Sequence, residues 1–470
     1  MPSFWSETIF KELELLRTSC SVLYKRVIRR ILDNEIAGDQ SMASAAQNKL
    51  MTRIGPGTAA GAVLRSYWQP VALSDELDGA RPVRPVNILG ENLVLFRDPK
   101  KGLGLINRTC SHRGADLCYG RLEDGGLRCP FHGWLFDVTG QCIEQPAEPE
   151  KSTLYKRVKQ SSYPVVEKNG VIFGYMGEGA PPKLPNLDCL TAPCSHSFAF
   201  KGLVDCNWLQ LLEVGIDPAH ASFLHRFLED DDAEEGYGLQ FRDNVNDIPM
   251  TKLLRKYYRP EIKVEVTDFG HRLIALRNLD NRGMHVRVTN QVFPNAIHIP
   301  LSNEMTLTQW HVPISDIQSY WYAMFTSFGD PVDQKRMKEQ RLELYELPDY
   351  VPKKGKHNNY GYNESEQATE TFTGMGFDIN VHDQWAVESQ GAIQDRTREV
   401  LASSDVGITE YRKSLMKAIR KHEELKRNNP SHREHQLPVA IDVIAPVEDW
   451  EKSWLAADGD RRENSSWINN

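Results

Sequence analysis

The chain reads as an α+β protein of two successive domains, the first all-β and the second an antiparallel sheet with a long helix. Between residues 60 and 180, short apolar runs at 86–89, 92–96, 104–106 and 170–175 alternate with turn residues, the pattern of a small barrel or sandwich. Longer alternating runs at 262–266, 272–276, 286–293, 305–312 and 320–328 then read as antiparallel strands. Residues 407–428 place Ile408, Tyr411, Leu415 and Ile419 on one side of a helix. Pro181-Pro182-Lys183-Leu184-Pro185 is a stiff linker between the two patterns. A chain of 470 residues, 40% hydrophobic, is long enough to bury both cores.

The expected boundaries are an extension over 1–46, a first domain over 47–185, a second over 186–430 and a tail over 431–470. In the extension, Leu13, Leu16, Leu23, Val27 and Ile31 have helical spacing beside the basic residues Lys25, Arg26, Arg29 and Arg30. Glu12, Glu14, Asp33 and Glu35 argue against a transit peptide, and no role is assigned to it. Gly55, Gly57 and Gly61 lack a preceding strand and enclose Pro56, so they mark a turn before a short helix near 61–67 and not a dinucleotide-binding loop. No nicotinamide or flavin fingerprint occurs elsewhere, so electrons for any redox chemistry must come from a separate protein. The tail carries little regular pattern and is expected to wrap over a neighbour or fray.

The chemistry-bearing residues of the first domain lie in two loops. Cys110 and His112 form a Cys-x-His pair, and Cys129 and His132 a Cys-x-x-His pair, with 16 residues between them. Gly114, Pro130 and Gly133 let each loop fold around something large. Two thiolates and two imidazoles suit either zinc or a [2Fe-2S] cluster with two histidines on one iron. Zinc fingers usually keep Cys with Cys and His with His, and a strand and turn (Trp134 to Gly140) follow the second loop here where a finger has a helix. The stretch resembles the Rieske iron–sulfur fingerprint, Cys-x-His followed by Cys-x-x-His-Gly-Trp. Ala115 and Phe131 stand where respiratory Rieske proteins carry a disulfide, and Trp134 where they carry a serine. Fewer hydrogen bonds to the cluster sulfurs imply the low-potential, oxygenase-type branch.

A second constellation follows at 207–225. Two histidines five apart, His220 and His225, differ by roughly 140° on a regular helix, so a shared ion requires a bend or a local widening. Taken alone they read first as hydrogen-bonded histidines on separate faces. Asn207-x-x-Gln210 through Asp217-x-x-His220-x4-His225 resembles the mononuclear-iron motif of Rieske non-heme iron oxygenases, most of all the phthalate dioxygenase branch. The resemblance covers about 51–425, its usual start falling near Met51, and it implies a helix-grip catalytic domain.

The resemblance further implies iron(II) on His220, His225 and a downstream acid, leaving positions open for dioxygen. Asp383 is expected to be that acid, with Asp378 and Asp395 as rivals; His382 is expected beside the ligand set or in solvent. In the family an aspartate at the position of Asp217 links a cluster histidine, here His132 or His112, to the next subunit's iron histidine. Such head-to-tail contact implies a trimer or stacked trimers.

What results is the terminal oxygenase of a multi-part system: a [2Fe-2S] cluster, mononuclear Fe(II), and a reductase or ferredoxin through which NAD(P)H enters only indirectly. It is expected to use O2 to hydroxylate or dihydroxylate a small aromatic substrate, best an aromatic carboxylic acid, or to remove a methyl group from O or N. Arg287 and Arg242 are candidate partners of a substrate carboxylate. Two readings from other classes stay open, a Rieske electron carrier with a binding domain and a zinc-stapled binding protein. Net charge of −8 and a pI of about 6.0 argue against nucleic acid and anionic membranes as partners. No apolar run reaches 18 residues, so no membrane span is expected. Eight cysteines in so long a chain read as metal ligands and reduced thiols, as in a cytoplasmic protein.

Overall fold

The computed structural model describes residues 43–123, 125–228, 244–245, 248–424 and 437–468. The helix expected over 10–32 and the candidate Arg242 lie outside the described residues.

Helix α1 (Ala45–Thr52) starts at Ser44, whose hydroxyl accepts from the Gln47 amide while the Gln47 side chain reciprocates. The glycine-rich turn follows, then α2 (Ala59–Arg65). At Gly61 a β-carbon would lie 2.2 Å from the Ile54 carbonyl oxygen, so this glycine serves close backbone approach.

Eleven short strands then form three antiparallel sheets. One joins β1 (Gln69–Leu73), β10 (Val165–Lys168) and β11 (Val171–Gly174). A second runs β2 (Val83–Ile88), β3 (Glu91–Asp98), β4 (Gly102–Asn107), β9 (Ser162–Tyr163). The third runs β5 (Arg121–Glu123), β6 (Gly126–Arg128), β7 (Leu135–Phe136), β8 (Cys142–Glu144). The first ligand loop joins β4 to β5 and the second is the β6–β7 connection. Phe96, Ile106, Leu117, Leu127, Trp134 and Phe136 form the apolar floor beneath both.

The second domain is built on one antiparallel sheet. Its order is β12 (Ser197–Val204), β18 (Gln318–Ser327), β17 (Met305–Ser315), β16 (Ala296–Pro300), β15 (Met284–Val292), β14 (Gly270–Asn278), β13 (Glu261–Val266). Three helices matter for the site: α3 (Trp208–Ile216), the one-turn α4 (Ala221–Leu224) and α5 (Ile379–Glu388). The long α6 (Val406–Glu424) buries Tyr411, Leu415 and Ile419, the expected face, and the Tyr411 hydroxyl donates to the Pro294 carbonyl at 2.8 Å. Gly407 lets its first turn close on Leu273 and the end of α3. The two domains share one core. Their edges join through Leu89 N–H to the Pro313 carbonyl and through the buried Lys201–Glu76 pair at 2.7 Å.

The tail requires correction. Residues 441–445 form β19 (Ile441–Ala445), pairing with β15 beyond the point where β16 leaves it, and α7 (Trp450–Glu463) packs Trp454 over Ile274, Leu276, Val286 and Val288. This segment is an integral part of the sheet domain. Its five-residue strand and a helix held by Trp450, Trp454 and the Arg462–Asp188 ion pair are too short and too polar to leave a periodic signal. The sequence reading also passed over β12, which is buried along nearly its whole length and so does not alternate, and the five-residue β16.

Candidate metal centres

The two loops of the first domain have the same backbone design. Cys110 N–H donates to the Ala115 carbonyl and Cys129 N–H to the Trp134 carbonyl, both at 2.8 Å. Gly114 and Gly133 each donate back to the carbonyl of their loop's cysteine, with φ of +76° and +75°. Both thiols are buried. Burial pushes Cys110 up to about 11, and Cys129 beside it adds to the shift, so two thiolates here require a cation between them. The His112 and His132 rings meet edge to face with centroids 4.5 Å apart, and His112 stacks on Trp134 at 4.4 Å. Their Nδ1 atoms are buried without a hydrogen-bond partner, which fits four donors converging on an iron–sulfur cluster. A β-carbon at Gly133 would need the left-handed conformation and would meet Pro146 Cγ at 2.7 Å. Gly133→Ala is therefore expected to cost about 1–2 kcal/mol and to lower iron and sulfide per chain, measured by metal analysis and the visible spectrum.

In the second domain α3 ends at Ile216, just before Pro218, and the bent or widened helix does not occur. His220 precedes α4 and His225 follows it, so each flanks a single turn, and irregular backbone brings the rings to 5.1 Å at 84°. Asp383 reaches them from α5. Its Oδ1 lies 3.3 Å from His225 Nε2 and 3.7 Å from His220 Nε2, and the three ligand atoms lie within 4.8 Å of one another. That oxygen is buried and makes no hydrogen bond of good geometry. Burial alone raises the Asp383 carboxyl; His225 and His220 outweigh it and hold the carboxyl below its ordinary value. Two imidazoles and one carboxylate aimed at a common point form a facial donor set for a divalent metal.

A family model described as the Rieske [2Fe-2S] domain matches residues 67–164, and one described as LigXa C-terminal domain like matches 193–463. The chain is 33% identical over 397 residues to the phthalate 4,5-dioxygenase oxygenase subunit of Pseudomonas putida, spanning 80% of this chain and 86% of that one. The chain belongs to the Rieske non-heme iron oxygenases. This oxygenase is also 40% identical, over 191 residues covering 39% of it and 44% of the relative, to the 5,5'-dehydrodivanillate O-demethylase oxygenase subunit of Sphingobium sp. strain SYK-6. Among solved structures it shares its fold with a QL mutant of NdmA from Pseudomonas putida CBB5 with theobromine, at TM-score 0.54 and 20% identity. The alignment covers 81% of this chain and 97% of that one. The oxygenase carries a [2Fe-2S] cluster and a mononuclear iron, and no helix among the described residues is long and apolar enough to cross a membrane.

The oxygenase holds its second donor set in place through polar residues of α3. Asn207 caps the helix. Gln210 donates to the carbonyls of Val387 (2.9 Å) and Gly391 (2.7 Å), tying α3 to the helix that carries Asp383. Glu213 accepts from Arg396 Nη2 at 2.7 Å and from Arg412 Nε at 2.6 Å, all three side chains buried. Burial alone raises Glu213, but Arg396 and Arg412 hold it below its ordinary value. A depressed carboxylate contributes stability above its unfolded pKa and loses it as pH falls through the folded one. Wild-type stability is thus expected to fall as pH drops below about 4, and Glu213→Gln to lack that component in melting curves recorded against pH. Glu213→Ala, leaving two buried guanidinium groups, is expected to cost about 3–5 kcal/mol.

The rival acids have local roles. Asp378 caps α5 by accepting from the Asn380 amide, and Asp395 accepts from Thr397. Asp217 closes α3: its Oδ1 accepts from the Ala219 amide at 2.7 Å, and His220 Nδ1 donates to its backbone carbonyl and not to its carboxylate. Arg287 is not open to a ligand as expected, since it pairs with the buried Asp442 and donates to the Pro300 carbonyl.

A basic residue not anticipated from the sequence lies beneath the segment that carries His220. Arg277 is buried on β14 with Nη2 3.4 Å from the Pro218 carbonyl, under the segment leading to His220. Its Nη1 has no hydrogen-bond partner, and burial, then Arg287, lowers its pKa to about 10. An arginine directly after the apolar run Leu273–Leu276 is the signal that could have found it. Beside His220 opens a pocket of about 740 Å³ walled by Phe223, Tyr362, Phe372, Met375 and Trp385.

Proposed function

We propose that this oxygenase holds its cluster with Cys110, His112, Cys129 and His132, and its iron with His220, His225 and Asp383, and that it oxygenates an aromatic carboxylic acid. The observation that carries this reading is the half-buried His220–His225–Asp383 set, with its orphaned carboxylate oxygen, beside an aromatic-walled pocket. Iron bound there would activate dioxygen; the chain supplies aromatic walls on which a planar ring can stack. Relatives named for phthalate and for 3-chlorobenzoate support an aromatic acid as the substrate class.

Electrons come from a separate reductase or ferredoxin, and pass from the cluster of one subunit to the iron of the next around a trimer. Exposed aromatic side chains in the cluster loops, Tyr119 and Phe131, support such a contact. Asp217 would bridge the two.

The 40% identity to an O-demethylase subunit favours a second reading, removal of a methyl group from an aryl ether. Oxygen uptake with a surrogate reductase, over a panel of aromatic acids and aryl methyl ethers, tests both. A diol or phenol without formaldehyde supports ring oxygenation, stoichiometric formaldehyde supports demethylation, and no substrate-stimulated uptake by any aromatic compound would sink the proposal.

A further inference from the structure

His382 is fully buried one residue before Asp383, and its two ring nitrogens face two different groups. Nε2 lies 2.8 Å from the carbonyl oxygen of Gly376. A carbonyl can only accept, so Nε2 carries the hydrogen. In the neutral ring Nδ1 is then a bare acceptor, and it sits 3.5 Å from Nδ1 of His225. The two ring planes differ by only 22° and their centroids are 5.7 Å apart. The nitrogens are closer than the ring centres by about the two ring radii, so both lie near the line of centres, where an in-plane N–H and lone pair point. His225 faces Asp383 with its other nitrogen, Nε2.

We propose that His382 is a positioning residue, the acceptor that fixes the tautomer and ring orientation of His225 so that Nε2 is presented to the metal. This rests on the reading that His225 holds the iron. The partner of His220 is a backbone carbonyl, that of Asp217, whereas His225 is given a side chain. That side chain is itself anchored. Gly376 adopts φ +85°, and its amide donates to Glu366 Oε1 at 2.6 Å, which aims its carbonyl at His382. The resulting relay runs from the Gly376 carbonyl through His382 to His225, with each hydrogen bond polarising the next. Its second function is exclusion: a donor at the position of His382 Nδ1 would turn the His225 ring and remove Nε2 from the donor set.

The test uses the cluster-loaded oxygenase stripped of mononuclear iron by a chelator, titrated anaerobically with Fe(II) alone against a chromophoric competitor. His382→Asn places an amide oxygen where Nδ1 stands; His382→Leu fills the space with no acceptor. The leucine variant is expected to bind Fe(II) about 10–100-fold more weakly, and the asparagine variant within about threefold of wild type, both with the cluster spectrum unchanged. Equal affinity in the leucine variant, or equal weakening in both, overturns the positioning role. Should the leucine variant lose its cluster, the asparagine variant decides alone: near wild-type affinity upholds the role and a tenfold loss overturns it. In parallel, His225→Ala with wild-type Fe(II) affinity would remove the iron assignment itself, a different failure from that of His382.

Discussion

Asp383→Ala is expected to abolish oxygenation while leaving the cluster's visible and EPR spectra unchanged. The loss should reach roughly a thousandfold or more, since a bound metal supplies several kcal/mol of charge stabilisation that the variant forfeits. The reason is local. Asp383 supplies the only carboxylate among the described residues that groups with His220 and His225, and the four cluster donors lie in the other domain. Removing it also removes the one anionic donor of the set, so iron content should fall to near zero in the mononuclear site while two irons per cluster remain. The measurement is iron per chain before and after chelation, with substrate-stimulated oxygen uptake. If turnover survived, the second domain would be a binding module and the chain an electron carrier. Colourless protein with stoichiometric zinc would instead mean that the first loops are a structural staple. Asp383→Glu separates charge from reach. With the backbone of α5 fixed between Gln210 and the Asp378 cap, an extra methylene overshoots the point where the three donors meet, so little activity is expected.

The donors themselves were legible because their chemistry is written in short spacings: Cys-x-His and Cys-x-x-His with loop glycines, and histidines following an Asp-Pro break. Their geometry was not. A spacing of five on a helix predicts divergence, and nothing local to residues 217–225 says that the helix is one turn long with a histidine at each end; Arg277, Ser222 and the α3–α5 contacts decide it from a distance. Arg287 failed as a free cation for a related reason. Its partner Asp442 lies in the segment that seemed without structure, so an error about the tail became an error about the site. The sheet strands that alternate between faces were visible, and β12, with both faces covered, was not. His382 could be placed next to the ligands by sequence alone, but which of its nitrogens meets which neighbour depends on Gly376, six residues away in a turn with a left-handed glycine.

Asp217→Asn is the corresponding test of the path between the two centres. Asparagine keeps the oxygen that accepts from the Ala219 amide, and the backbone carbonyl that orients His220 is untouched, so the cap and the iron site should survive. What changes is the charge and one acceptor. If Asp217 serves only to close α3, the variant will turn over like wild type. If its carboxylate takes a cluster histidine of the neighbouring subunit while its backbone carbonyl holds His220, turnover should fall about 10–100-fold with both metals in place, and a chemically reduced cluster should stay reduced on mixing with substrate and oxygen. Mixed oligomers then distinguish transfer between subunits from transfer within one. Co-expressing Asp217→Asn chains, which keep a cluster, with Cys129→Ser chains, which keep the bridge and the iron, makes each deficient where the other is intact. In a head-to-tail ring a donor of the first kind followed by an acceptor of the second restores one productive junction, and turnover in the hybrids rises above that of either parent. Within-chain transfer gives no such recovery, because the chain with the cluster lacks the bridge and the chain with the bridge lacks the cluster.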